Sequence, residues 1–176
     1  MTIRPNQKHN QRVARKNEAD SKVKMTTNHN YNMKTSTLKI QILAPIQEVW
    51  KAISTTEGMK AWVGWLKVDT DWQVNSPMVL TLHDEMGDVM ESNGEKMIFN
   101  GIIEVKKENR EIAYSYPEKM AGIEKESYVL DEIDADTTCV TFTQMCTSEE
   151  IAKDQEEDQK QLMENLKKKL EEKYRL

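Results

Sequence analysis

His83, followed by Asp84 and Glu85, is the first place where metal or acid–base chemistry could sit, because an imidazole beside two carboxylates offers three donors in three residues. The trio stands where an alternating stretch runs into an acidic, glycine-bearing loop, with no HExxH pattern and no second histidine in range. It therefore reads as a surface histidine. Cys139 and Cys146 are seven residues apart, a spacing that puts them on opposite faces of one straight strand and fits neither a zinc clip nor an intrastrand disulfide. They read as buried, inert thiols. No nucleophile stands with a base, no glycine loop is built for phosphate, and no carboxylate pair lies in apolar surroundings. Glu104 and Asp131 are the carboxylates that could enter an interior and act as a base, since the strand pattern leaves their side open. No catalytic residue, metal or cofactor is assigned.

Aromatic side chains carry more information. Trp50, Trp62, Trp65 and Trp72 fall close together. Trp50 belongs to a helical apolar stripe and reads as core. Trp62 and Trp65 read either as core or as walls of a pocket, offering large apolar area with an N–H for a polar group. Tyr114, Tyr116 and Tyr128 have the right parity for one face of adjacent strands, where a phenol is either a polar anchor or a core residue whose hydroxyl reaches water. The eleven methionines suit an adaptable interior, although Met also fills ordinary cores.

The elements that would position these groups begin at Thr37. The 176 residues suit one ordinary domain, with 38% hydrophobic and 31% charged residues as in a soluble globular chain. No apolar run is long enough to span a bilayer, and no secretory h-region is present. With two cysteines, a reducing cytoplasm fits best. The net charge of −5 hides an asymmetry. Residues 1–36 hold eight Lys/Arg against Glu18 and Asp20, whereas residues 37–176 carry 17 basic and 28 acidic side chains. That first stretch has no apolar face and is expected to be a disordered basic tail. Its charges are too dispersed, and too poor in aromatic residues, for a nucleic-acid arm. It reads instead as a leader or an over-extended reading frame, with Met33 a natural start.

Leu38, Ile40 and Ile42 alternate as in a half-buried strand. Pro45 opens a helix with Ile46, Val49, Trp50 and Ile53 on one face, and Thr56 caps a second short helix carrying Met59, Trp62 and Val63. Strand-like stretches follow at residues 65–68, 78–82, 97–105, 112–116, 128–130 and 140–142, with a flexible hairpin loop expected at 84–94 and a loop at 117–125. Thr147-Ser148-Glu149-Glu150 fits a capping box. Leu162, Met163, Leu166, Leu170 and Tyr174 then form a helical stripe. As one helix, residues 149–176 would reach about 42 Å. The order is β-α-α, about six strands, then a long helix: an α+β domain over residues 37–176.

Four phrases within this order resemble the START-like superfamily, in its branch related to the activator of heat-shock protein 90 ATPase. They are Ala44-Pro45-Ile46-Gln47-Glu48-Val49-Trp50-Lys51-Ala52-Ile53, the stretch from Gly58 to Trp62, the stretch from Thr70-Asp71-Trp72 to Ser76-Pro77, and the stretch from Gly101 to Tyr116. The resemblance covers residues 38–171. It implies a helix-grip fold, a curved antiparallel sheet wrapped round the C-terminal helix with a cavity between them. The lining would include Trp62, Trp65, Leu80, Phe99, Tyr114, Tyr116, Tyr128, Leu162 and Leu166. Two departures stand out: Asn75 where relatives have Gly, and Gln159 where the terminal helix often opens with Trp. The expected function is a non-catalytic cytoplasmic protein that binds a small hydrophobic molecule, with no nucleic-acid or membrane partner. The alternative is a chaperone-cofactor-like module with a protein partner; a cavity enzyme is the third reading.

Overall fold

The computed structural model describes residues 33–173. The expected basic tail lies outside the described residues up to residue 32, as does Tyr174 of the helical stripe. The strand order and register follow from alternating side chains. β1 (Lys34–Ile42) begins three residues before Thr37 and turns Leu38, Ile40 and Ile42 inward. Then come α1 (Ile46–Ile53), α2 (Thr56–Trp62), β2 (Leu66–Asp69), β3 (Pro77–Leu82), the small hairpin β4 (Glu91–Ser92) and β5 (Glu95–Lys96), β6 (Ile98–Lys107), β7 (Glu111–Met120), β8 (Ile123–Asp134), β9 (Thr137–Cys146), α3 (Glu149–Asp154) and α4 (Glu156–Glu171). Seven strands make one antiparallel sheet in the order β1-β9-β8-β7-β6-β3-β2. Register shifts between Ile103 and Val105, Ser115 and Met120, and Ile123 and Lys125 supply the bulges that bend such a sheet. The fold is α+β and consistent with a helix grip, its seven main strands being the first strand and the six that follow the two short helices.

Five local expectations need correction. Residues 117–125 are not a loop: β7 and β8 run on through Pro117 and meet at Ala121-Gly122. Both turn residues have positive φ, +50° and +85°, as a two-residue type I′ hairpin demands. Residues 84–94 are likewise not wholly loop, because they contain β4. The cap of α2 is Thr55, whose hydroxyl accepts from Gly58 N at 3.0 Å; Thr56 is already helical. In the same way Ser148, not Thr147, caps α3, accepting from Ile151 N at 3.3 Å. Nor is residue 149 onward one helix. The ladder tightens at Gln155, whose N–H is shared by the Ile151 and Lys153 carbonyls.

The core lies between the concave sheet face and α1, α2 and α4. Phe142, Ile42, Ile103, Ile112, Met163 and Leu166 are its fully buried large side chains, with Val49 and Ile53 of α1. Cross-links hold α4 to β1: Ser36 Oγ donates to Gln159 Oε1 at 3.0 Å, Leu43 N to Glu171 Oε1 at 3.0 Å, and Lys167 Nζ to the Gln41 carbonyl. Asn75 has φ +67°, a left-handed position that Asn tolerates better than other side chains, which explains why it stands in place of Gly. Among the described residues no helix is long and apolar enough to cross a membrane.

Candidate ligand-binding cavity

A hollow of about 280 Å³ opens between sheet and helices, close to the roughly 300 Å³ at which ligand pockets begin. Its walls come from every layer: Met59 and Trp62 of α2, Met78 and Leu80 of β3, Phe99 of β6, Tyr114 and Tyr116 of β7, Glu126 and Tyr128 of β8, and Asp158 and Leu162 of α4. Trp65, 47% exposed, stands at its rim. An outer recess of about 360 Å³ shares seven lining residues with the hollow and adds Gln144, Gln159, Gln161 and Asn165. The interior is therefore apolar and its approach polar.

Eight of the nine residues expected to line a cavity do so. The exception is Leu166, which is fully buried and belongs to the solid core beneath. Parity explains the rest. Tyr114 and Tyr116 alternate inward on β7, and Tyr128 meets Tyr114 edge-on with ring centroids 6.4 Å apart. Trp62 is both wall and tie, its Nε1 donating to the Ala52 carbonyl at 2.9 Å. The Tyr114 hydroxyl donates to the Ile53 carbonyl at 3.0 Å. Tyr128 is 2% exposed and donates to no protein acceptor among the described residues, yet no buried polar side-chain atom is unsatisfied there. Tyr128 itself lines the hollow. Burial pushes the ionisation of all three phenols well up, so each stays a neutral hydroxyl.

The central polar group, Glu126, carries no signal of its own in the sequence. It is two residues before Tyr128, so period-two alternation alone puts both on the concave face. Tyr116 donates its hydroxyl to Glu126 Oε2 at 2.6 Å, and Gln144 Nε2 donates to Glu126 Oε1 at 2.8 Å. Behind Gln144, Gln159 Nε2 donates to Gln144 Oε1, and Ser36 donates to Gln159. Gln159 thus closes a buried relay whose donors all point toward the carboxylate. Burial raises the Glu126 pKa, while the bonds from Tyr116 and Gln144 oppose that rise. The same burial pushes the Cys146 thiol up, and Glu126 adds to it.

Other expected chemistry falls elsewhere. Glu104 lies on the outer face, paired with Lys125 at 2.7 Å, and Asp131 is exposed. Neither can act on a guest in the hollow. His83 is half-buried rather than on the surface, its backbone N–H bonded to the Trp65 carbonyl at 2.7 Å. Cys139 is half-buried rather than buried, and only Cys146 is enclosed.

Solved structures share this architecture. A solution structure from Cytophaga hutchinsonii is 25% identical, with a TM-score of 0.64, covering 80% of this chain and 96% of its own. The Zhui aromatase/cyclase of a Streptomyces species is 17% identical, with a TM-score of 0.61 and coverages of 82% and 97%. The Aha1 dimer of Colwellia psychrerythraea is 20% identical, with a TM-score of 0.54 and coverages of 78% and 96%. The last two likenesses concern the fold alone. No curated protein matches the chain. A family model, however, matches residues 43–173, nearly the whole folded region. The chain therefore belongs to the family of activator of Hsp90 ATPase homolog 1-like proteins, within the START-like superfamily.

Proposed function

We propose that the chain is a non-catalytic cytoplasmic binding protein that holds one small, largely apolar molecule between the concave sheet face and α4. The observation that carries this reading is the apolar hollow with the Tyr128 phenol in its wall. Protein interiors ordinarily pack to crystal-like density, so an aromatic-walled hollow with one unused phenol suits a ligand better than it suits stability alone. Trp62, Trp65, Leu80, Phe99, Tyr114, Tyr116, Tyr128 and Leu162 would contact that ligand. A fold relative named as an aromatase/cyclase lends the reading support, since such a name implies an organic guest.

Native mass spectrometry of protein purified from its own source tests it. A retained small molecule is expected, absent from a Leu162→Trp variant whose indole fills the hollow. A wild-type chain that retains nothing, and whose Trp emission ignores every apolar probe, ends the reading.

A second reading, a chaperone-cofactor-like protein-interaction module, draws on family membership and on Val79, Ile98 and Ile102, exposed together on the convex face of β3 and β6. Co-purification of a chaperone, undisturbed by Leu162→Trp, would favour it.

A further inference from the structure

The cavity carries charge of one sign. Glu126 and Asp158 line it, and among the described residues no Lys, Arg or His lines either the hollow or its outer recess. Lys125, next to Glu126 in sequence, points to the other face and is engaged by Glu104. Glu126 has no basic partner among the described residues; its bonds come from a phenol and an amide.

Those bonds fix how the carboxylate presents itself. Gln144 uses its carbonyl oxygen on the donors Gln159 Nε2 and Cys146 Sγ, leaving its amide N–H for Glu126. Each carboxylate oxygen has one donor, so each keeps lone-pair capacity for a further one. An ionised carboxylate in an apolar hollow without a counter-cation lacks its best partner, and a guest can supply it. The N-terminal end of α4 also lies at the mouth and would by itself attract an anion. Its first turn, however, holds Glu156, Glu157 and Asp158, more than enough negative charge to offset a half-charge dipole. Tyr128 adds a second polar contact on the same strand as Glu126.

We propose that the cavity selects a small apolar molecule bearing one protonated amine, docked on Glu126 with Tyr128 beside it, and rejects apolar carboxylates of the same size. This rests on the cavity being a ligand site, and the test separates failure of the two ideas.

The probes are 4-phenylbutylamine, 4-phenylbutanol and 4-phenylbutyrate, titrated into the full chain at neutral pH and followed by calorimetry and Trp emission. The amine should bind about tenfold or more tighter than the carboxylate, with the alcohol between, as one charged hydrogen bond implies. In Glu126→Gln the amine should fall to the affinity of the alcohol, while the alcohol is little changed. Asp158→Asn, at an exposed position, should reduce the amine preference at low salt only. If the alcohol binds but the carboxylate equals or exceeds the amine, the charge selection is overturned and the cavity reading survives. A folded Glu126→Gln chain that keeps the full amine preference overturns it equally. If none of the three binds, both ideas fall. The wild-type order needs no variant, so a Glu126→Gln chain that misfolds leaves the test intact.

Discussion

The Tyr116 hydroxyl donates to Glu126 Oε2 at 2.6 Å from the neighbouring strand, holding a carboxylate against a wall that is largely aromatic and aliphatic. Burial is the larger influence and raises the Glu126 pKa above its ordinary 4.5. The folded chain then binds this proton more tightly than the unfolded chain. Stability from the protonated group is thus full below pH 4.5 and is lost as pH rises through the raised value. The groups around it, Tyr114, Tyr116, Tyr128 and Cys146, are themselves pushed up and stay neutral across that window, with Asp158 at the mouth. Glu126→Gln can still accept from Tyr116, and the Gln144–Gln159–Ser36 relay can reverse to suit it. Urea unfolding should give a flatter stability–pH curve for this variant above pH 4.5. Parallel curves would show that ionising Glu126 costs the fold nothing.

Leu162 and Leu166 occupy one helical stripe but different environments, half-buried at the hollow and fully buried in the core. Leu166→Ala should cost about 2–5 kcal/mol, the range for core Leu truncations. Leu162→Ala should cost clearly less, because it enlarges a space already open. Chemical denaturation of the two variants decides, and equal losses would contradict the placement of the hollow.

Gly58 lies where α2 crosses the end of α1. A Cβ there would stand 2.2 Å from the Lys51 carbonyl oxygen and 2.8 Å from Ala52 Cα, both backbone atoms. Gly58→Ala should therefore destabilise by about 1–3 kcal/mol or more and shift α2. The shift should also break the Trp62–Ala52 bond, so Trp emission should move to longer wavelength and probe affinity should fall with it.

Ala121 holds φ +50°, a conformation that costs a non-glycine residue about 1–2 kcal/mol. Ala121→Gly should raise stability by about 0.5–1 kcal/mol after its greater unfolded entropy is counted. Ser148→Ala should lower it by about 1 kcal/mol through loss of the α3 cap. Thermal melts measure both.

What was legible in the sequence was everything governed by periodicity. Leu38-Ile40-Ile42, Tyr114-Tyr116 and Val140-Phe142 announced their strands and inward faces because a strand's side chains alternate, whatever lies opposite. Ile46-Val49-Trp50-Ile53 announced α1 for the matching helical reason. The family phrases then supplied the helix-grip arrangement, and with it eight of the nine cavity-lining side chains. Parity alone does not distinguish inward residues that meet solid core from those that meet open space, and Leu166, on the same stripe as Leu162, lies in the core rather than at the hollow. Nor could it mark Glu126, because a lone carboxylate on a β-face is ordinary until two distant donors converge on it. Gln144 lies 18 residues from Glu126, and Gln159 a further 15 beyond. Only the folding of α4 back across the sheet brings these amides into line.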